Sequence, residues 1–212
     1  YRQRLQKGAW AQSPFFCLLD HPTAQLAGKT LGIIGYGSLG KAVAKLARAF
    51  EMNVIALQSA RPNDVNNPPR YPLTELLKHS DVLSLHCPLT DKNYHMIDGE
   101  RLKQLPKHAL LINCARGGLV DETALLQALQ NGTIAGAALD VLEQEPPAEN
   151  HALINQKPAN LIITPHIAWA SLQAREQLVQ QVAENLAKQP ECSVATLCEP
   201  LSTWEEVQNP NF

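Results

Sequence analysis

The chain has 212 residues, of which 45% are hydrophobic and 18% are charged, a balance typical of a folded protein with one large domain. A formal net charge of −2, without a run of Lys and Arg, argues against nucleic acid or anionic lipid as a partner. The longest apolar stretches are the length of strands and fall short of the roughly 18 residues of a membrane span, so no membrane contact is expected.

Strand-like and helix-like segments alternate along the chain, and this alternation predicts a βαβ architecture with a parallel sheet. Short apolar runs predict strands at residues 30–35, 53–57, 82–85, 109–113, 134–140 and 161–164. Apolar residues at helical spacing predict helices at residues 41–50, 73–79 and 171–187, and Asp121 is a suitable N-cap for a further helix. The Pro- and Asn-rich residues 61–70 predict a surface loop. We therefore expect an α/β fold, a Rossmann-type doubly wound parallel sheet with helices on both faces.

A glycine turn lies between the first predicted strand and the first predicted helix. Residues 35–40 read GYGSLG and match the pattern GxGxxG. In a dinucleotide-binding turn, Gly35 would permit the tight bend, Gly37 the approach of the pyrophosphate, and Gly40 the close packing of the helix. The amides of Ser38 and Leu39 would then face the phosphates. A structural turn without a ligand is the alternative, but the strand, helix and second strand around it favour dinucleotide binding.

The residue after the second predicted strand bears on the choice between NAD and NADP. A carboxylate usually stands there and accepts a hydrogen bond from the ribose 2′-hydroxyl of NAD. This chain has Gln58 instead, and Arg61 follows three residues later. A neutral amide does not repel a 2′-phosphate, and Arg61 could pair with one. The sequence therefore favours NADP, or the use of both cofactors; the alternative is that Arg61 is only a solvated loop charge.

Three charged or titratable residues follow later predicted strands, where ligands of open parallel sheets bind. They are Arg116, Glu145 and His166. Reduction of a 2-keto acid needs a cation for the carboxylate and carbonyl, which suits Arg, and a proton donor, which suits His because an unperturbed imidazole has a pKa of about 6.5. A Glu beside that His would orient it and favour its protonated form. Taken singly, they read as a surface charge, a loop residue and a packed histidine.

The cysteines and histidines form neither a disulfide pattern nor a metal-ligand pattern. No two of the five cysteines form a CxxC pair, and their odd number argues against a closed disulfide set, so a reducing cytoplasm is the simplest location. The histidines other than His166 lack ligand spacing, and no metal site is expected.

Together, several segments resemble the D-2-hydroxyacid dehydrogenases and occur in that family's order. They read GIIGYGSLG (32–40), HCPLT (86–90), NCARGG (113–118), ALDV (138–141), EP (145–146) and TPH (164–166). The resemblance covers roughly residues 8–187 and is specific because separate motifs agree. Residues 8–10 (GAW) and 13–17 (SPFFC) are most similar to the glycerate dehydrogenase, or hydroxypyruvate reductase, branch.

The resemblance implies roles for individual residues. Arg116 would anchor the substrate, Glu145 would orient His166, and His166 would be the general acid in reduction and the base in oxidation. Asp140 would accept a hydrogen bond from the nicotinamide carboxamide. The other residues implied on the nicotinamide side are Pro88, Cys114 and Ala115. The substrate would be a small 2-keto or 2-hydroxy acid. In this family the cofactor domain commonly pairs with its copy, so a homodimer through residues 14–19 is expected.

The resemblance also implies a division of the chain. Residues 1–12 would be a remnant of the interdomain helix, 13–168 the dinucleotide-binding domain and 169–188 a C-terminal helix, with residues 189–212 a tail without clear periodicity. The family's substrate domain is built mostly before the interdomain helix, so most of it is expected to be missing here. Two alternatives to an enzyme follow: a dinucleotide-sensing interaction module, which would need only the glycine turn, or a cofactor-binding fragment inactive alone.

Overall fold

A seven-stranded, entirely parallel sheet forms the centre of the first part of the chain. The computed structural model describes residues 1–21, 23–58 and 68–188. The strands are β1 (Thr30–Ile34), β2 (Asn53–Leu57), β3 (Arg70–Tyr71), β4 (Val82–Leu85), β5 (Leu110–Asn113), β6 (Gly136–Leu139) and β7 (Leu161–Ile163). Their order across the sheet is β3-β2-β1-β4-β5-β6-β7, so the direction of winding reverses between β1 and β4. This is the Rossmann-type order, and the predicted fold class is confirmed.

The described helices connect or flank the strands. They are α1 (Arg2–Gln6), α2 (Ser38–Ala49), α3 (Leu73–His79), α4 (Gly99–Leu102), α5 (Glu122–Gln130), α6 (Ala152–Gln156) and α7 (Leu172–Lys188), with a 3₁₀ turn at Gly117–Leu119. The chain divides into two compact units, Tyr1–Pro165 and His166–Phe212, and α7 belongs to the second. No helix among the described residues is long and apolar enough to cross a membrane.

Two apolar cores lie on opposite faces of the sheet because successive side chains of a strand point in opposite directions. On β1, Leu31 and Ile33 belong to a core that also contains Ala44 and Ala47 of α2. Ile34 belongs instead to a larger core. That larger core is built mainly from α3, α4, α5 and the strands from β4 onward. Both faces of the sheet are therefore covered by apolar packing near β1. The glycine turn follows directly at the carboxyl end of this strand.

Several predicted boundaries differ from the structure. The helix predicted at 41–50 begins three residues earlier, at Ser38, because the glycine turn leads into it directly. The predicted loop at 61–70 ends in β3, so its last residue, Arg70, is in a strand; residues 59–67 of this region lie outside the described part of the chain. Helices α4 and α6 were not predicted, since they have four and five residues and carry little periodicity. The N-cap prediction is confirmed: the Asp121 side chain accepts from the backbone nitrogen of Ala124 at 2.9 Å.

Candidate dinucleotide and substrate site

The glycine turn between β1 and α2 fits a dinucleotide pyrophosphate. Gly35 has a φ of +95°, and a Cβ atom there would lie 2.5 Å from the backbone nitrogen of Cys87. A Cβ atom on Gly40 would lie 2.2 Å from the carbonyl oxygen of Gly35, so the helix packs this close to the turn only with glycine there. A Cβ atom on Gly37, by contrast, would meet no described atom within 4 Å, and this open space lies directly before the helix.

The amino end of α2 has the properties of an anion site. Gly37 is the N-cap and supplies no side-chain acceptor, and the first turn contains no acidic residue. The amides of Ser38 and Leu39 are therefore not neutralised by a carboxylate from the first turn, and the helix dipole adds partial positive charge at this end. These residues lie where the sequence predicted pyrophosphate contacts, and their arrangement is compatible with that role.

Gln58 directly follows β2, at the position where dinucleotide-binding folds usually present a carboxylate to the ribose. Its side chain is exposed, and its backbone nitrogen donates to the carbonyl oxygen of Tyr71 at 2.8 Å. A neutral amide is therefore available at the ribose position. The other residue predicted for this corner, Arg61, lies outside the described residues.

Two further cations, neither of them predicted from the sequence, lie at this corner. Arg70 donates from Nη1 to the carbonyl oxygen of Leu57 at 3.0 Å, and its guanidinium carbon lies 4.9 Å from the centre of the Tyr36 ring. Arg48 donates from Nη2 to the Tyr36 hydroxyl at 3.5 Å. The only signal in the sequence was the position of Arg70 directly after a Pro-rich loop. This position indicates a role at the ribose corner only once it is known that Arg70 begins β3, beside β2.

The loop after β4 carries Pro88 and is fixed at both ends. The backbone nitrogen of His86 donates to the carbonyl oxygen of Ile34 at 2.7 Å, which joins this loop to the end of β1. The half-buried His86 ring lies with Nε2 2.8 Å from the Ser84 hydroxyl, and burial lowers the pKa of His86, so the imidazole is neutral near pH 7. The carbonyl oxygen of Pro88 accepts from the Asn93 side chain at 2.8 Å. Pro88 is thus held on a rigid loop.

The loop after β5 presents Arg116. The buried Asn113 side chain donates to the carbonyl oxygen of Arg116 at 2.9 Å and accepts from the backbone nitrogen of Ala115 at 3.0 Å. Arg116 is exposed, and its Nη1 donates to the carbonyl oxygen of Ala115 at 2.7 Å. One buried amide side chain therefore sets the course of the backbone from which the Arg116 guanidinium projects.

Asp140 and Cys114 lie together at the same edge of the sheet. Asp140 is only 4% exposed, its backbone nitrogen donates to the carbonyl oxygen of Asn113 at 2.9 Å, and its carboxylate accepts from the Thr164 hydroxyl. Burial raises the pKa of the Cys114 thiol, and the nearby Asp140 charge raises it further, so the thiol is protonated near neutral pH. The residues predicted on the nicotinamide side, Pro88, Cys114, Ala115 and Asp140, all follow the carboxyl ends of β4, β5 or β6.

Glu145 lies in the loop after β6. It is exposed, and its Oε1 accepts from the backbone nitrogen of Leu142 at 2.9 Å. Arg116 and Glu145 thus belong to the first unit, on loops that follow neighbouring strands. His166 begins the second unit; it has a φ of +51°, and its carbonyl oxygen accepts from the Trp169 indole nitrogen at 2.9 Å. The partnership of Glu145 and His166 stays a prediction.

A polar network that was not predicted from the sequence supports the Glu145 loop. The backbone nitrogen of Glu143 donates to Glu122 Oε1 at 2.8 Å, and the other carboxylate oxygen of Glu122 lies 2.8 Å from His151 Nε2. The side chains of this pair are only 15% and 14% exposed. The Tyr94 hydroxyl donates to the Glu143 carboxylate, and this hydrogen bond raises the pKa of Tyr94. Partners 29 positions apart, such as Glu122 and His151, give no local sequence pattern.

Comparison with known proteins identifies the family. Residues 1–168 match the model of the D-isomer specific 2-hydroxyacid dehydrogenase, NAD binding domain. The chain belongs to this family. It is 48% identical over 186 residues to a glycerate dehydrogenase of Methylorubrum extorquens, covering 88% of this chain and 58% of the relative. It is 38% identical to a hydroxypyruvate reductase of Blautia hydrogenotrophica, with the same two coverages. The resemblance to this branch of the 2-hydroxyacid dehydrogenases is thereby confirmed.

Solved structures of the family agree in fold. A D-lactate dehydrogenase from Aquifex aeolicus, complexed with NAD and lactic acid, is 33% identical with a TM-score of 0.76 over 88% of this chain and 59% of that chain. A glyoxylate reductase from Paecilomyes thermophila is 32% identical with a TM-score of 0.75, over 90% and 56%. The chain therefore spans somewhat more than half the length of these relatives.

Proposed function

We propose that the protein carrying this chain transfers a hydride between NAD(P)H and a small 2-keto or 2-hydroxy acid. Hydroxypyruvate and glyoxylate are the proposed substrates, with D-glycerate and glycolate as the products. The names of the relatives, which include glycerate dehydrogenase, glyoxylate reductase and hydroxypyruvate reductase, support this choice. The observation that carries the proposal is the exposed Arg116 on a loop fixed by Asn113, at the same sheet edge as the glycine turn.

In this proposal Arg116 binds the substrate. Its planar guanidinium matches the two oxygens of a carboxylate and polarises the adjacent carbonyl. The hydrogen bonds of Asn113 already hold the backbone of this loop, so less conformational entropy is lost when Arg116 binds the substrate.

His166 exchanges the proton. When bound, the nicotinamide cofactor would supply the hydride for the carbonyl carbon. His166 gives a proton to the carbonyl oxygen, so the keto acid becomes the hydroxy acid. In oxidation His166 accepts the proton back. We propose that Glu145 orients the imidazole of His166.

The dinucleotide lies along the carboxyl edge of the sheet in this proposal. Gly35, Gly37, Gly40 and the amides of Ser38 and Leu39 would hold the pyrophosphate, and Asp140 would accept a hydrogen bond from the nicotinamide carboxamide. Gln58 and Arg61 make NADP at least as good a cofactor as NAD. Fluorescence titration of the chain with NADPH and NADH tests this part, and a tenfold preference for NADH, about 1.4 kcal/mol, would contradict it.

The proposal extends to assembly, location and segmentation. A homodimer through residues 14–19 is supported by Phe15, Phe16 and Leu19, which are 73%, 91% and 86% exposed. Sedimentation at several concentrations tests the dimer, and monomer throughout would contradict it.

We place the protein in the cytoplasm on its cysteine pattern. We also retain the proposed segments 1–12, 13–168, 169–188 and 189–212, the last of which lies outside the described residues.

The decisive experiment uses the protein expressed from its complete reading frame. Its consumption of NADPH or NADH should depend on hydroxypyruvate or glyoxylate, and His166→Ala should abolish most of kcat. His21→Ala, which removes an exposed histidine, is the matched control and should retain activity. If His166→Ala kept most of the wild-type kcat, the acid–base role would be wrong. The 212-residue chain alone should bind cofactor without turnover, and appreciable turnover would contradict the proposed division of the substrate site.

A further inference from the structure

The Arg70 guanidinium lies between the end of β2 and the glycine turn. Its Nη1 donates to the carbonyl oxygen of Leu57, the last residue of β2, at 3.0 Å. Its guanidinium carbon is 4.9 Å from the centre of the ring of Tyr36, which stands inside the glycine turn. In this fold the adenosine ribose binds at the carboxyl end of β2 beside the turn. Arg70 therefore reaches the ribose corner from β3, a strand that the glycine motif does not include.

Among the described residues, the positive charge at this corner has no carboxylate partner. Within residues 1–21, 23–58 and 68–188, neither Arg70 nor Arg48 forms a salt bridge with a carboxylate. The Nε of Arg70 is buried and has no acceptor among those residues. Gln58, the residue after β2, is neutral. Two guanidinium groups joined through Tyr36 thus stand beside the ribose position without a described anion.

We infer that Arg70 is a further specificity-determining residue for NADP, beyond Gln58 and Arg61, and binds the 2′-phosphate on the adenosine ribose, with Arg48 adding positive charge beside it. This inference rests on the proposed dinucleotide function. A guanidinium binds a phosphate dianion through two parallel hydrogen bonds, whereas the 2′-hydroxyl of NAD offers no charge. The Leu57 carbonyl and the Tyr36 ring already hold the Arg70 side chain, so little rotamer freedom is lost on binding.

The test compares the affinities of the chain for NADPH and NADH by fluorescence titration. Arg70→Gln should weaken NADPH binding by about tenfold or more and change NADH binding less than about twofold. Arg70→Lys should recover only part of the loss, because an ammonium group keeps the charge and lacks the bidentate geometry. Arg2→Gln, which removes an exposed guanidinium on α1, is the matched control and should change neither affinity.

Each outcome supports or overturns the inference. Equal weakening of both cofactors, or no change in either, on Arg70→Gln would overturn it. If that variant does not fold, wild-type chain and Arg48→Gln are titrated with 2′,5′-ADP and 5′-ADP. The wild type should prefer 2′,5′-ADP, and the Arg48→Gln variant should reduce that preference; no preference in the wild type would overturn the inference. Failure of the wild type to bind either dinucleotide would instead contradict the proposed function.

Discussion

Replacing Asn113 with Ala should destabilise the chain strongly, because one buried side chain satisfies two backbone groups. The substitution removes the hydrogen bonds to the carbonyl oxygen of Arg116 and from the nitrogen of Ala115. A hydrogen bond contributes about 0.5–1.5 kcal/mol, and leaving a buried group unsatisfied costs about 1–3 kcal/mol. We expect a loss of about 2–4 kcal/mol in the free energy of unfolding, or about 5–15 °C in Tm for a chain of this length.

The assay is urea unfolding of the 212-residue chain followed by circular dichroism. Asn155→Ala is the control, since the exposed Asn155 makes one side-chain hydrogen bond, to the carbonyl oxygen of Glu149 at 3.1 Å. That variant should lose about 0.5 kcal/mol or less. A loss from Asn113→Ala no larger than the control's would refute the argument that this amide fixes the loop of Arg116.

Three further results are expected. Gly35→Ala should destabilise the chain more than Gly28→Ala in thermal unfolding, because both have positive φ but only at position 35 would a Cβ atom meet backbone, 2.5 Å away; equal losses would contradict this. Burial disfavours the charged form of Asp81, yet hydrogen bonds from the Thr30 amide and His108 lower the pKa of Asp81 overall. Its contribution is therefore present above about pH 4 and lost as the pH falls through the folded pKa, so Asp81→Asn should flatten stability against pH in that acid range, and an unchanged slope would count against it. Gln58→Asp should shift the ratio of NADH to NADPH affinity towards NADH, since a carboxylate accepts from a 2′-hydroxyl and repels a phosphate; an unmoved ratio would place the ribose elsewhere.

The sequence was sufficient for six of the seven strands and for the glycine turn, because these depend on local patterns. Apolar runs of four or five residues gave β2 and β4 their observed bounds, and a helix directly after three spaced glycines leaves little choice of fold. Short elements were beyond reach: β3 has two residues, and nothing in Arg70-Tyr71 distinguishes a strand from the end of a loop.

Within the candidate site, the sequence allowed predictions only for residues that stand in a recognisable motif. Arg116 and Glu145 stand in recognisable segments, whereas the supports of their loops depend on partners distant in sequence. Glu122 meets His151 across 29 positions, and Arg70 meets Tyr36 only after β3 pairs with β2. Such contacts form only when distant segments are brought together in the folded sheet, so they cannot be predicted from the spacing of residues along the chain.

The alternation along β1 has a consequence for how this domain tolerates substitution. Ile33 and Ile34 are adjacent and both fully buried, yet they belong to two separate cores. Residues that share no packing partners contribute to stability nearly independently. The layer under α2 can therefore accumulate changes in side-chain volume without forcing a matching change in the layer under α3 and α5. A domain built this way can be redesigned one face at a time, with the dinucleotide edge held in place by the other face.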